Sequence, residues 1–265
     1  MQPIHAILLG LVEGLTEYVP ISSTGHLILA SAWLGLEGEA VKSFEIIIQS
    51  GAIAAVLGLY RARVGQMLTG VRGADAAGRR LAGCLLLSFL PAAALGVALH
   101  RVIKARLFGP LPVAAALAAG GLLMVILDRR LRAGNRTVES LTARDALVIG
   151  AAQCLALWPG TSRAMVTLVA GMAIGLSPAA AAEYSFLLAL PTLGAATVFD
   201  AIKTDPALWR ALGPGAVVLG LVTSALVAAV AVRALVRYLT RHGLAVFGWY
   251  RLALAAGVWW VLTRA

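Results

Sequence analysis

Glu13-Gly-Leu-Thr-Glu17-Tyr-Val-Pro20-Ile-Ser22-Ser23-Thr24-Gly25-His26 lies inside an otherwise apolar stretch, residues 4–33. A spanning helix needs about 20 residues, and this stretch is longer and is interrupted by Gly10, Gly14, Pro20 and Gly25. It is too long for one pass and too broken in the middle for a plain span. We read it as a re-entrant helical hairpin that dips into a bilayer and returns on the same side. Broken backbone at membrane depth is tolerated only where it is buried in protein or lines a wet cavity. Residues 147–178 form a second stretch of the same kind, broken by Pro159 and Gly160 and carrying Arg163.

The rest of the chain fits a bilayer. Apolar residues make up 60% and charged residues 13%, against about 25% charged in a soluble domain. A mean hydropathy of +0.89 over 265 residues cannot be hidden in one water-soluble core. Residues 81–99, 111–127 and 214–232 hold no charge, and residues 44–60 hold only Glu45 at one mouth. Residues 179–199 carry Glu183 and residues 244–262 carry Arg251. The expected fold is an all-α polytopic membrane protein, with six transmembrane helices plus two re-entrant helical hairpins in a single membrane domain, 1–265. The net charge of +10 is read as basic loops facing anionic headgroups, so no nucleic-acid partner is expected. Cys84 and Cys154 lie in apolar runs without metal-ligand spacing and read as inert thiols. Met1 to His5 holds no Lys or Arg, so no signal-peptide n-region is expected.

Lys and Arg counts set the orientation. The loops at 61–80, 129–146 and 233–243 carry thirteen, and those at 34–43, 100–110, 200–213 and the C-terminal tail carry seven. The first set should be cytoplasmic, with both termini outside. The halves, about 1–130 and 145–265, look like copies. Pro20 precedes Ser23 and later Ser43-Phe44, and Pro159 precedes Ser162 and later Ser185-Phe186. A hairpin plus three spans per half makes an inverted-topology repeat, whose working site sits near the midplane where the halves meet.

Charges inside a bilayer cost roughly 2.5–3.5 kcal/mol each on insertion scales, which marks them as functional suspects. Glu13 and Glu17 are four apart, hence on one helix face. Their repulsion is relieved by a shared proton, by a cation such as Mg²⁺ that takes one or two carboxylates plus phosphate oxygens, or by an ion pair with Arg163 or Arg251. Ser22, Ser23 and Thr24 follow the Pro20 break, where a new helix N-terminus favours an anion. A hydroxyl there caps the helix or attacks phosphorus, with Glu17 or His26 to take its proton. At the second tip, Ser162 and Arg163 follow Pro159-Gly160, and the planar fork of Arg matches phosphate oxygens. Folding the hairpins together would set Arg163 opposite Glu13, Glu17 and His26. Glu45 and Gln49, also four apart, support the site or sit at the interface. Arg251 should pair across helices.

The run from Glu13 to His26 resembles the first signature of the bacterial undecaprenyl-diphosphate phosphatases of the bacitracin-resistance type. Pro159-Gly160-Thr161-Ser162-Arg163, with Thr167 after it, is similar to the second. The segments containing Phe44, Glu45 and Gln49, and Glu183, Ser185, Phe186 and Pro191, match as well. The resemblance covers essentially the whole chain. It implies a hydrolase of the bacterial inner membrane that converts undecaprenyl diphosphate to undecaprenyl phosphate, which recycles the lipid carrier of peptidoglycan synthesis and can confer bacitracin resistance. It also implies an active site facing the periplasm, dependence on a divalent cation (Mg²⁺ or Ca²⁺), and roles for Glu13, Glu17, Ser23, Thr24, His26, Ser162 and Arg163. Ser22 joins Thr24 and Ser162 as a candidate substrate contact, and a second copy of the chain is a candidate partner. One departure is Ala164-Met165, where the family usually has Ser then Gly; the added bulk bears on how the second hairpin packs.

The expected chemistry places the diphosphate at the hairpin tips, with Arg163, the metal and backbone N–H groups neutralising charge on the phosphoryl oxygens. Ser23, His26 and a metal-bound water all stand as candidate nucleophiles. The rival class is a transporter or lipid-phosphate flippase, which also needs inverted repeats and buried carboxylates.

Overall fold

The structure, a computed structural model, describes residues 1–107, 109–203 and 212–263. Arg210 and Arg264, two of the charges used for orientation, lie outside the described residues. The described residues form eleven α-helices: α1 (Pro3–Thr16), α2 (Ser23–Trp33), α3 (Glu39–Leu59), α4 (Arg61–Val71), α5 (Ala76–Arg106), α6 (Pro110–Leu131), α7 (Ala143–Gln153), α8 (Arg163–Ala173), α9 (Pro178–Lys203), α10 (Pro214–Leu239) and α11 (Ala245–Leu262). Short 3₁₀ turns at Val138–Ser140 and Cys154–Leu157 flank α7.

The chain is an all-α polytopic membrane protein. Helices α3, α5, α6, α9 and α10 are long and apolar enough to cross a bilayer. The sixth expected span is present as α11, which is shorter at 18 residues, or about 27 Å at 1.5 Å per residue. On α10, Val218, Val222, Leu226 and Val230 recur every four residues and are more than half exposed; lipid is the medium that suits such a stripe.

Both long apolar stretches break at their prolines into paired short helices, α1 with α2 and α7 with α8. The glycines expected to break the first stretch do not: α1 runs unbroken through Gly10 and Gly14, and α2 through Gly25. Helix α1 packs on α10. A Cβ on Gly10 would lie 2.6 Å from the Gly220 oxygen, and one on Gly14 would lie 2.5 Å from the Ser224 oxygen. These are small-residue contacts four apart on both helices, the device by which membrane helices approach closely. The loop expected at 61–80 instead contains α4, folded back on α5.

Several of the loops are tied to one another. Arg63 bonds both Glu139 and Glu183, Arg136 bridges to Leu176, and Asp128 accepts from the Leu244 and Ala245 amides. These contacts join loops 61–80, 129–146 and 233–243 on one face. On the other, the Met1 amine donates to the Leu212 oxygen at 3.2 Å.

Candidate active site

Two tips of matching construction meet inside the helical assembly. Ser22 (φ 76°) and Ser162 (φ 72°) are the non-glycine residues with positive φ among the described residues. Each is the N-cap of an eleven-residue helix, α2 or α8. Ser22 Oγ accepts from the Gly25 amide at 3.4 Å, and Ser162 Oγ from the Met165 amide at 3.2 Å. A non-glycine residue so placed costs about 1–3 kcal/mol and persists where its surroundings over-determine it. Gly160, at φ 94°, has a second constraint: a Cβ there would lie 2.6 Å from the Val113 oxygen.

Both tips open on one cavity of about 190 Å³. Glu17, Ser22, Ser23 and Thr24 line it from the first tip, and Pro159, Gly160, Ser162 and Arg163 from the second. Gln49, Gln153 and Thr192 supply polar wall, and Trp158 and Leu193 apolar wall. The N-termini of α2 and α8, with their free amides and positive dipole ends, therefore border the same space, an arrangement suited to an anion.

Glu17 joins the tips. Its Oε2 accepts from Ser23 Oγ at 2.5 Å, and its Oε1 accepts from Arg163 at 2.7 Å in a pair buried on both sides. The Arg163 guanidinium also donates to the Ser185 oxygen at 3.0 Å and lies 5.5 Å from the Tyr18 ring centroid. Its Nε–H is buried without a partner, and an anion oxygen in the cavity would satisfy it. The anticipated ion pair between the acids and Arg163 is thus formed, with Glu17. Thr167 closes the support by bonding the Arg163 oxygen at 2.8 Å and Ser185 Oγ at 2.6 Å.

Glu13 and His26 stand apart from this chain. Glu13 is fully buried, and neither carboxylate oxygen has a hydrogen-bond partner. Burying an unpaired charge costs several kcal/mol, so Glu13 requires a proton or a cation. No group of three or more His, Cys, Asp or Glu converges among the described residues. Glu13 does not line the cavity, and both Glu17 oxygens are engaged by Ser23 and Arg163; the donor set is one or two carboxylates, the number a Mg²⁺-type ion takes beside oxygens of substrate and water. His26 does not line the cavity. Its Nδ1 sits 2.8 Å from the Ser22 oxygen and its Nε2 2.7 Å from the Tyr250 hydroxyl, with the two rings stacked.

Gln49 lines the cavity, whereas Glu45 accepts from Ser31 at 2.6 Å and Glu183 pairs with Arg63. Arg251 pairs across helices, with backbone oxygens of α6 and both tips. Gln153 and Thr192 were not singled out from the sequence. Gln153 donates to the Ser88 oxygen at 3.2 Å and accepts from Thr192 at 3.3 Å; a lone amide in an apolar run was the signal available. Met165 takes up its bulk beside α6, its Cε 2.8 Å from where a Cβ on Gly120 would stand.

Comparison with known proteins gives the family. The sequence model described as "Bacitracin resistance protein BacA" matches residues 6–257. A protein of Sorangium cellulosum named undecaprenyl-diphosphatase is 53% identical, the match covering 97% of this chain and 85% of that one. Undecaprenyl-diphosphatase 2 of Rhodospirillum rubrum is 48% identical over 94% of this chain and 91% of its own. The undecaprenyl-diphosphatase of Ectopseudomonas mendocina is 46% identical over 94% and 90%. These names are a hydrolase's, and they do not favour the transporter. The chain belongs to the bacitracin resistance protein BacA family.

Proposed function

We propose that the chain hydrolyses undecaprenyl diphosphate to undecaprenyl phosphate and inorganic phosphate in the bacterial inner membrane. The observation that carries the site assignment is the buried chain Ser23–Glu17–Arg163, which crosses from one tip to the other beside a cavity bordered by two helix N-termini. Ser23 Oγ attacks the terminal phosphorus as Glu17 takes its proton, the P–O bond to the bridging oxygen breaks, and undecaprenyl phosphate leaves. The departing undecaprenyl phosphate takes the proton from Glu17; water, deprotonated by the freed Glu17 carboxylate, then cleaves the phosphoserine, and Ser23 Oγ takes that proton back as phosphate leaves. Arg163 and the amides at the starts of α2 and α8 neutralise the phosphoryl oxygens, with Thr24 and the Ser162 tip placing them. Ser23 is favoured over His26 because both His26 ring nitrogens are engaged outside the cavity.

Glu13, assisted by Glu17, would hold a divalent cation, Mg²⁺ or Ca²⁺, which when bound neutralises diphosphate charge. In this reading the basic face carrying Arg63, Arg136 and Arg132 is cytoplasmic, by the distribution of Lys and Arg, the two halves are an inverted repeat with re-entrant tips, and the cavity opens to the periplasm.

Purified protein in detergent should release phosphate from undecaprenyl diphosphate one-for-one with undecaprenyl phosphate, and a chelator should stop it. Ser23→Ala should slow turnover by at least about 10³-fold, and a quenched wild-type reaction should carry phosphate on Ser23. Near-normal turnover by Ser23→Ala would falsify the serine assignment.

A further inference from the structure

Arg251 is the largest fully buried side chain among the described residues, and no carboxylate faces it. A guanidinium has five N–H donors, and here all five meet backbone oxygens. Nε donates to the Leu117 oxygen at 3.2 Å. One terminal nitrogen donates to Pro20 at 3.4 Å and Thr161 at 3.0 Å, the other to Ala116 at 3.0 Å and Gly160 at 2.9 Å. One planar group on α11 therefore ties α6 to the peptide just before each strained serine: Pro20 stands two residues before Ser22, and Thr161 directly before Ser162.

We propose that Arg251 is a positioning residue that holds both tips in register, and so sets the aim of Ser23 and Arg163 at one phosphate. Positive φ at Ser22 and Ser162 persists only if the surroundings enforce it, and Arg251 bonds the backbone within two residues of each. Peptide bonds here are trans, so where the Thr161 oxygen points at the guanidinium, the Ser162 amide points away from it. Ser162 lines the cavity, and its amide bonds no described residue. Gly120 makes the approach to α6 feasible, because a Cβ there would collide with the guanidinium and lie 3.0 Å from its Cζ. The guanidinium cannot swing aside without giving up bonds to both tips.

The proposal rests on the reading of the two tips as the catalytic site. It is tested with Arg251→Lys, Gly120→Ala and the double variant, assayed for phosphate release and thermal unfolding beside wild type and Ser23→Ala. Lysine keeps the charge but has three donors on one nitrogen in place of five on a planar fork, so it cannot keep all five bonds. Arg251→Lys should lose about 100-fold in kcat, the scale of an ångström of misplacement, with KM changed by less than about threefold. Gly120→Ala, which keeps the arginine, should move kcat in the same direction. In the double variant the alanine should add little, because the fork it displaces is already gone. A folded Arg251→Lys with kcat within twofold of wild type overturns the proposal, as do effects of the two substitutions that multiply. If Arg251→Lys does not fold, Gly120→Ala decides: a lower melting temperature with unchanged kcat means the arginine is structural only. Full turnover by Ser23→Ala would instead sink the assignment of the site, and leave the clamp to be read from the kcat of the other variants.

Discussion

Glu17 is committed twice, to a hydroxyl and to a guanidinium, and each commitment constrains the other. Held by Arg163, its carboxylate is fixed beside Ser23, within reach of that proton, and both partners of the ion pair are buried. Removing either charge would strand the other, at about 3–5 kcal/mol for a buried pair, so activity loss in such variants would be mixed with unfolding. Arg163→Lys avoids this. It keeps a cation beside Glu17 but gives up the planar fork and the unpartnered Nε–H. We expect kcat to fall about 10²–10³-fold, as for loss of one preorganised donor, while the melting temperature moves by only a few degrees. A phosphate-release assay paired with a thermal melt checks it. The acid pair, the hydroxyl run and Arg163 were all readable from the sequence, because charges in apolar runs are conspicuous. That Glu17 rather than Glu13 meets Arg163, and that His26 turns to Tyr250, depended on how α1 and α2 rotate against distant helices.

At the scale of helices, small residues set the distances. Helix α10 receives α1 through Gly10 and Gly14, and α3 through Gly51, whose Cβ would collide with the Leu221 oxygen and lie 3.0 Å from Ser224 Cβ. Phe44 and Ile48 of α3 in turn fill the space left by Gly220. Gly51→Val forces backbone apart and should destabilise by about 1–3 kcal/mol, the usual cost of overpacking. It should also lower kcat, since Gln49 on the same helix lines the cavity. The checks are the melting temperature and turnover of the purified variant; an unaltered melt would mean that α3 and α10 separate freely. Gly10 and Gly14 read as helix breakers in sequence because glycine weakens a helix in isolation. In the folded molecule they are contact points, and only the neighbouring helix reveals this.

Across the whole molecule, the basic face is tied together by exposed ion pairs. Glu139, in the turn between α6 and α7, is held well below the usual carboxylate range, at about 2, first by its own backbone N–H and then by Arg63 and Thr137. A folded pKa below the unfolded one, near 4.5, contributes stability that is fully present above pH 4.5 and is lost as pH falls towards 2. With about half of the side chain exposed, screening limits this to about 0.2–1 kcal/mol. Glu139→Gln should therefore melt slightly below wild type at pH 6, with the gap closing as pH drops to 3. A gap that widens on acidification would contradict the assignment.

The sequence by itself determined the class of molecule, the helical stretches, the two broken tips and the candidate residues for chemistry. Hydropathy, proline and buried charge are local signals that no tertiary context can hide. Tertiary structure decided which acid pairs with Arg163, which way His26 faces, and that Gln153 and Thr192 belong to the cavity. It also decided that Arg251 binds the tips rather than a carboxylate. Each of these is a contact between residues far apart in the chain, fixed by helix rotation and close approach, and none is written in the order of residues alone.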